Sequence, residues 1–286
     1  MKLWWIFLTT VSGINAQPIS FPTMSPSAIL QTGCVNNSTP SAGCCSGHIE
    51  IASQITSIAE SAFENCSLQS VILPASVTFI ARSAFERCSQ LSSITQLFNE
   101  GSTSPSLELG DYAFASCSNL NSITEFLSNN VAAIGDYTFT RSGLLQLYIP
   151  PTVLSIGERA FAGCTDLSSV SINAYDLLTN ISTGLFEGCT SLVDVVLPYY
   201  DLLSIGDFAF ADTNLSVVSI PNSVTNIGRG AFLRCRNLVL ASIRNTDVRE
   251  LRIGSSAFQS CSRYHPYTLY PLYPLYPHTP IQPFNK

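Results

Sequence analysis

The sequence predicts an elongated solenoid of about nine coils, with a parallel β-sheet along one side and turns with short helical segments along the other. Three observations predict it. A phenylalanine recurs at Phe63, Phe85, Phe114, Phe139, Phe161, Phe186, Phe210, Phe232 and Phe258, at spacings of 22 to 29 residues, a period that belongs to stacked repeats rather than to a globular core. Its surroundings recur with it. Ala precedes it except at Thr138 and Leu185, and three residues later stands Cys66, Cys88, Cys117, Cys164, Cys189, Cys235 or Cys261, with Ser142 and Thr213 in the other two copies. Each copy then runs into an apolar alternation such as Leu167, Val170, Ile172 or Leu192, Val195, Leu197, the period of a short strand.

The elements follow in order. Residues 1–16 read as a secretory signal: Lys2, an apolar run from Leu3 to Val11, then Ala16 as a small residue suited to cleavage before Gln17. The run is too short to span a bilayer. Residues 17–46 are rich in Ser, Thr and Pro and carry Cys34, Cys44 and Cys45, the composition of a lead-in and cap. Residues 47–262 form the solenoid. Strands spaced by about 4.8 Å build the sheet. Pro74, Pro150, Pro198 and Pro221 close their strands, because proline has no N–H to continue a ladder. Ile-Gly pairs at residues 134–135, 156–157, 205–206, 227–228 and 253–254 set an apolar anchor beside a permissive turn residue.

Residues 263–286 form a Tyr/Pro-rich tail with Leu-Tyr-Pro three times between Leu269 and Pro277. In polyproline II, with three residues per turn, Tyr267, Tyr270, Tyr273 and Tyr276 share one stripe. Three origins fit this tail: a cap on the last coil, a stalk or docking peptide, and a shifted reading frame.

The repeat resembles the BspA-like, or Treponema-type, branch of leucine-rich repeats, whose unit is strand, Pro, Ser-Val-Thr-x-Ile-Gly, then Ala-Phe-x-x-Cys. The stretch Ser219-Ile-Pro-Asn-Ser-Val-Thr-Asn-Ile-Gly-Arg-Gly-Ala-Phe-Leu-Arg-Cys235 matches it most closely. The resemblance covers about three quarters of the chain; the third copy departs from it with Asn99 to Pro105 inserted, and the strand before Arg244 is irregular. It implies a leucine-rich repeat solenoid displayed at a surface or secreted. It also implies a role in adhesion or in protein or glycan recognition, but it brings no set of ligand residues with it.

Composition limits the function further. A net charge of −6 argues against general nucleic-acid affinity. The only histidines are His48, His265 and His278, one at the first strand and two in the tail, so no nucleophile, base and orienting acid converge from the body of the stack. The cysteines lie one per coil and Cys44-Cys45 lacks a spaced partner pair, so no zinc site forms. The chain is read as no enzyme, with no catalytic, metal or cofactor residue and no transmembrane segment.

Binding candidates lie where the repeat leaves residues free. Phe98, Phe126, Tyr148, Tyr175, Tyr199 and Tyr200 fall at or just past the strands of five successive coils; projecting outward they make an aromatic rim, whereas Phe98 and Phe126 turned inward fill the core under irregular turns. Ile72 and Val196 are apolar outward strand positions in a face otherwise dominated by Ser and Thr, giving a flat surface for a protein or glycan partner.

Charge is divided along the axis: residues 47–228 hold four Arg and seventeen acids, residues 229–263 seven Arg and two acids. Arg229, Arg234, Arg236, Arg244, Arg249 and Arg252 hold an anionic ligand or the acidic flank of a second copy if they share a side, and do neither if scattered. Holding the acidic flank of a second copy leads to the alternative of a structural protein that self-associates head to tail through its oppositely charged ends.

The repeat cysteines are read as free, small buried residues, because Ser142 and Thr213 take the same place. Cys34 with Cys44 or Cys45 is the candidate disulfide, leaving one odd cysteine for Cys66 or another chain. Asn36, Asn37, Asn65, Asn180 and Asn214 head glycosylation sequons.

Overall fold

The computed structural model describes residues 46–51, 53–97, 106–128, 130–173, 178–198, 201–243 and 251–262. Of the four segments expected from sequence, the solenoid is the one that it covers. The signal, the lead-in up to residue 45 and the tail lie outside the described residues.

Nine phenylalanines mark about eight complete turns. Phe63, Phe85, Phe114, Phe139, Phe161, Phe186, Phe210, Phe232 and Phe258 stack ring on ring, with centroids 5.0 to 5.8 Å apart and planes within 19° of parallel. Seven of them are fully buried, Phe63 nearly so, and Phe258 at the end partly. The column is the spine of one continuous core, and its stacked geometry is favourable beyond the apolar area that it hides.

Each coil has three sides. On the first, three- to seven-residue strands pair in parallel: Ser46–Glu50 with Ser67–Leu73 and then Ser93–Gln96; Gln146–Ile149 with Ser169–Ile172 and then Asp194–Val196; and Val217–Ile220 with Leu240–Ile243. Alternate residues point inward, as at Val170 and Ile172, because the side-chain period of a strand is two. The four prolines end these strands as expected, at Leu73, Ile149, Val196 and Ile220 or one residue beyond.

The second side is a sheet that sequence reasoning took for turns. Short segments at Ser57–Ile58, Phe79–Ile80, Leu107–Leu109, Val131–Ile134 and Ser155–Ile156 pair in order as one ladder, and Asn180–Ile181, Ser204–Ile205, Asn226–Ile227 and Arg252–Ile253 pair in order as a second. Glycine follows six of these nine strands, Ala59, Ala81 and Ser182 the others, and it is favoured by proximity and not by its φ. A Cβ on Gly157 would lie 2.5 Å from the backbone of Gly135 and Asp136, and one on Gly228 would lie 2.6 Å from that of Gly206 and Asp207. Glycine lets successive turns approach until Gly157 N–H donates to the Ile134 carbonyl at 2.7 Å.

The third side carries the phenylalanines and has no strands. The residues two before and two after each Phe all have positive φ, between 52° and 76°, including Tyr112, Tyr137, Arg159, Phe208, Arg87 and Arg234. Each non-glycine residue in this region costs about 1–2 kcal/mol. Hydrogen bonds to the next turn offset it: Ser61, Phe63 and Asn65 N–H donate to the carbonyls of Arg82, Ala84 and Glu86 at 2.7 to 3.0 Å, and the pattern repeats in later turns.

The third copy breaks the first sheet. Where the repeat calls for a strand, the chain forms a short helix, Thr124–Ser128. Ile123, Phe126 and Leu127 are buried; their i, i+3, i+4 spacing is the helical period.

The described repeat cysteines are buried and none of them forms a disulfide. Each described thiol from Cys88 to Cys261 donates to the carbonyl of the previous turn's Phe, at 3.0 to 3.3 Å. Ser142 makes the same bond to Phe114 O at 3.3 Å, which explains why a hydroxyl substitutes there. Burial pushes the Cys117 and Cys189 thiols up, so both stay neutral.

Candidate partner-binding face

The strands of the first side present columns of outward side chains. One column runs Tyr148, Ser171, Val196; beside it run Gln146, Ser169 and Asp194, with Val217 in the following turn. Small hydroxyl residues dominate except over the turns of Phe186 to Phe232. There Val196 is 53% exposed and Val217 50%, with Val193 and Val239 exposed just ahead of Asp194–Val196 and Leu240–Ile243. Four aliphatic side chains in three successive turns, with the exposed carboxylate of Asp194 among them, form the most apolar part of this described face. Ile72, the other aliphatic candidate, is half-buried near the opposite end and pairs across to Thr95.

The expected aromatic rim is corrected at Phe126. Its ring is 1% exposed and meets Phe114 edge-on at 5.9 Å, because the helix turns it into the space that a strand residue would have filled. Tyr148 is half-buried, and its hydroxyl accepts a hydrogen bond from Asn173 Nδ2 at 2.9 Å, which lays the ring along the face toward the next turn. Phe98, Tyr175, Tyr199 and Tyr200 lie outside the described residues.

The described arginines do not form one site. Arg234 spends its charge in a two-pronged bond to Asp212, Nε to Oδ1 at 2.6 Å and Nη2 to Oδ2 at 2.5 Å, and this partner holds the Asp212 carboxyl below its ordinary range. Arg229 lies over the Phe208 ring at 5.5 Å. Arg252 is on the second sheet, while Arg236 is exposed four residues past Phe232. Arg244 and Arg249 fall outside the described residues.

Of the sequons, Asn65 and Asn180 are exposed, although Asn180 Oδ1 accepts from Ser204 Oγ at 2.6 Å. Asn214 is half-buried and its Oδ1 accepts from the Asn237 amide. Asn36, Asn37, Cys34, Cys44 and Cys45 lie outside the described residues.

One surface feature escaped sequence reasoning. On the third side Tyr112 and Tyr137 stack at 4.7 Å and 2°, Arg82 lies 5.2 Å over Tyr112, and Arg159 donates to the Tyr137 hydroxyl at 3.3 Å and to Glu187 Oε2 at 3.0 Å. The signal was present as Gly-Asp-Tyr at residues 110–112 and 135–137, each two residues ahead of the repeat Phe. Its members contact one another across five turns, a bracing arrangement.

Residues 42–168, 98–198 and 166–269 match the model of the BspA type leucine rich repeat region, in six copies. The chain belongs to the BspA-type leucine-rich repeat family. Its fold is similar to a leucine-rich repeat protein from Bacteroides ovatus, at 26% identity and a TM-score of 0.55, covering 80% of this chain and 67% of that one. A leucine-rich repeat protein from Eubacterium ventriosum is similar at 23% identity and a TM-score of 0.53, covering 76% and 65%. This BspA-type chain thus spans about two thirds of each of those proteins. Among curated protein sequences none matches it. Among the described residues of the BspA-type stack, no helix is long and apolar enough to cross a membrane, and no three His, Cys, Asp or Glu side chains gather as a metal site.

Proposed function

We propose that this BspA-type chain is a secreted or cell-surface-associated recognition protein, which adheres to a protein or glycan partner through its first sheet and the rim beside Tyr148. The carrying observation is the group Val193, Val196, Val217 and Val239. These side chains are exposed by 44% to 53% on a face whose core is complete without them, and rigid aliphatic surface of this kind gains free energy only when a partner covers it. The flat, hydroxyl-rich remainder suits an extended contact. This reading joins the secretory character of residues 1–16 to the surface display common in the family.

Replacing Val196 and Val217 together by Lys tests the reading. Both are outside the core, so the melting temperature should stay unchanged while retention on arrays of matrix proteins and glycans falls at least about tenfold, the equivalent of about 1.4 kcal/mol. Undiminished retention by a folded double variant rejects this face. Self-association through charged ends draws no support from the arginines, since Arg234 is neutralised within its own chain by Asp212.

A further inference from the structure

The outward position just before each first-sheet strand alternates in size along the stack: Leu145, Ser168, Val193, Ser216, Val239. The backbone sets these residues on successive turns, with Ser168 N–H donating to Leu145 O at 2.9 Å, Val193 to Ser168 O at 3.0 Å and Val239 to Ser216 O at 2.9 Å. Leu145, Val193 and Val239 are each 44% to 48% exposed, and Ser168 turns its hydroxyl onto Leu145 O at 2.9 Å. The column is therefore a row of aliphatic ridges two turns apart, with shallow notches over the serines between them. Two turns measure about 9.6 Å.

The tail carries a matching ruler. Tyr264, Tyr267, Tyr270, Tyr273 and Tyr276 recur every three residues, with Pro271, Pro274 and Pro277 between the last of them. Three residues of polyproline II advance about 9.3 Å, so consecutive tyrosines stay in step with consecutive notches to within about 1 Å over two steps. The starting point also fits. Ser262 Oγ donates to Arg236 O at 2.9 Å, which stacks the last described residue on Arg236, three residues short of the turn position that Val239 occupies.

The 24 residues from Arg263 to Lys286 reach far more than the roughly 19 Å of four turns. They contain no acid and two cations, Arg263 and Lys286, against the acid-rich turns ahead of Arg229. Asp194 is exposed immediately beside Val193.

We infer that the tail docks in polyproline II on this column of its own chain, running from the last turn toward the first, with the rings of Tyr273 and Tyr276 seated over Ser216 and Ser168 between the Leu145, Val193 and Val239 ridges. The docked tail covers one edge of the recognition face and competes there with any partner, yet it stands whether or not that face binds one.

The test is hydroxyl-radical footprinting of the full chain with residue-level mass spectrometry, beside a synthetic peptide of residues 263–286. Tyr273 and Tyr276 are expected to react at least about fivefold more slowly in the chain than in the peptide, which submillimolar affinity achieves at the roughly millimolar effective concentration of a tethered segment. Val193→Lys with Ser216→Lys, both on exposed positions, returns the rates to those of the peptide. So does Pro271→Ala with Pro274→Ala and Pro277→Ala, which leaves every turn of the stack untouched. Equal rates in the wild-type chain and the peptide overturn the proposal. Protection that survives the face variant, that is lost instead with Leu203→Lys on the second sheet, or that fades on tenfold dilution as a tail from a second copy would, overturns it equally.

Discussion

Cys164 offers a test of what the cysteine column does. Its side chain is fully buried and its thiol lies 3.2 Å from the Phe139 carbonyl. If the position merely needs a small apolar residue, Cys164→Ser should be worse than Cys164→Ala, because a buried hydroxyl without a partner costs about 1–3 kcal/mol. The structure reverses that order. Ser142 occupies the same place one turn earlier and donates to Phe114 O at 3.3 Å and to Phe139 O at 2.6 Å; by analogy a serine at 164 finds Phe139 O and Phe161 O.

The loss of sulfur's apolar contact, about 1 kcal/mol, is then offset by a hydroxyl bond worth about 0.5–1.5 kcal/mol. Cys164→Ser should lie within about 1 kcal/mol of the wild type, whereas Cys164→Ala loses contact and bond together, about 1–2 kcal/mol. Urea unfolding followed by circular dichroism measures both midpoints. A serine variant less stable than the alanine variant by more than about 1 kcal/mol would refute the acceptor reading.

Three further outcomes are expected. Phe161→Ala removes a ring stacked at 5.5 Å and 5.8 Å on its two neighbours and should cost about 3–5 kcal/mol, lowering the urea midpoint more than any surface substitution named above. Gly157→Ala, at an ordinary φ, should cost about 1–3 kcal/mol by forcing two turns apart, checked by thermal unfolding; a neutral result would show that the spacing yields freely. The Asp212 carboxyl, depressed by Arg234, contributes stability that is present above its unfolded pKa of about 3.9 and lost as pH falls through its lower folded value. Melting temperature followed from pH 7 to pH 2 should therefore drop less steeply for Asp212→Asn than for the wild type.

Much of the candidate site was legible in part. Val196 could be placed on the outer face by counting from Val195, because strand period two leaves one choice of side. Phe126 could not, because Ile123, Phe126 and Leu127 fit a helix and a strand start equally over so few residues, and only the space beneath the third copy selects the helix. The arginines illustrate the same limit. Seven lie close in sequence, yet a solenoid turns through three sides in some twenty-four residues, so nearness along the chain says little about nearness on a surface. Arg234 meets Asp212 from the turn before.

By itself the sequence determined the turn: the spacing of Phe, the Ala and Cys beside it, the alternating apolar strand and the proline that ends it. Those are local periods, and a repeat reads them nine times over. What lies between turns was decided only by the tertiary structure. The second sheet, the thiol-to-carbonyl ladder, the glycines that face a neighbouring backbone and the left-handed residues flanking each Phe all arise from one turn meeting the next at close range. The left-handed positions are filled by Ser, Tyr, Arg, Phe, Asn, Asp and Gly alike, so no residue type announces them. Their backbone is held by hydrogen bonds to a turn more than twenty residues away, a contact that exists only once the stack has formed.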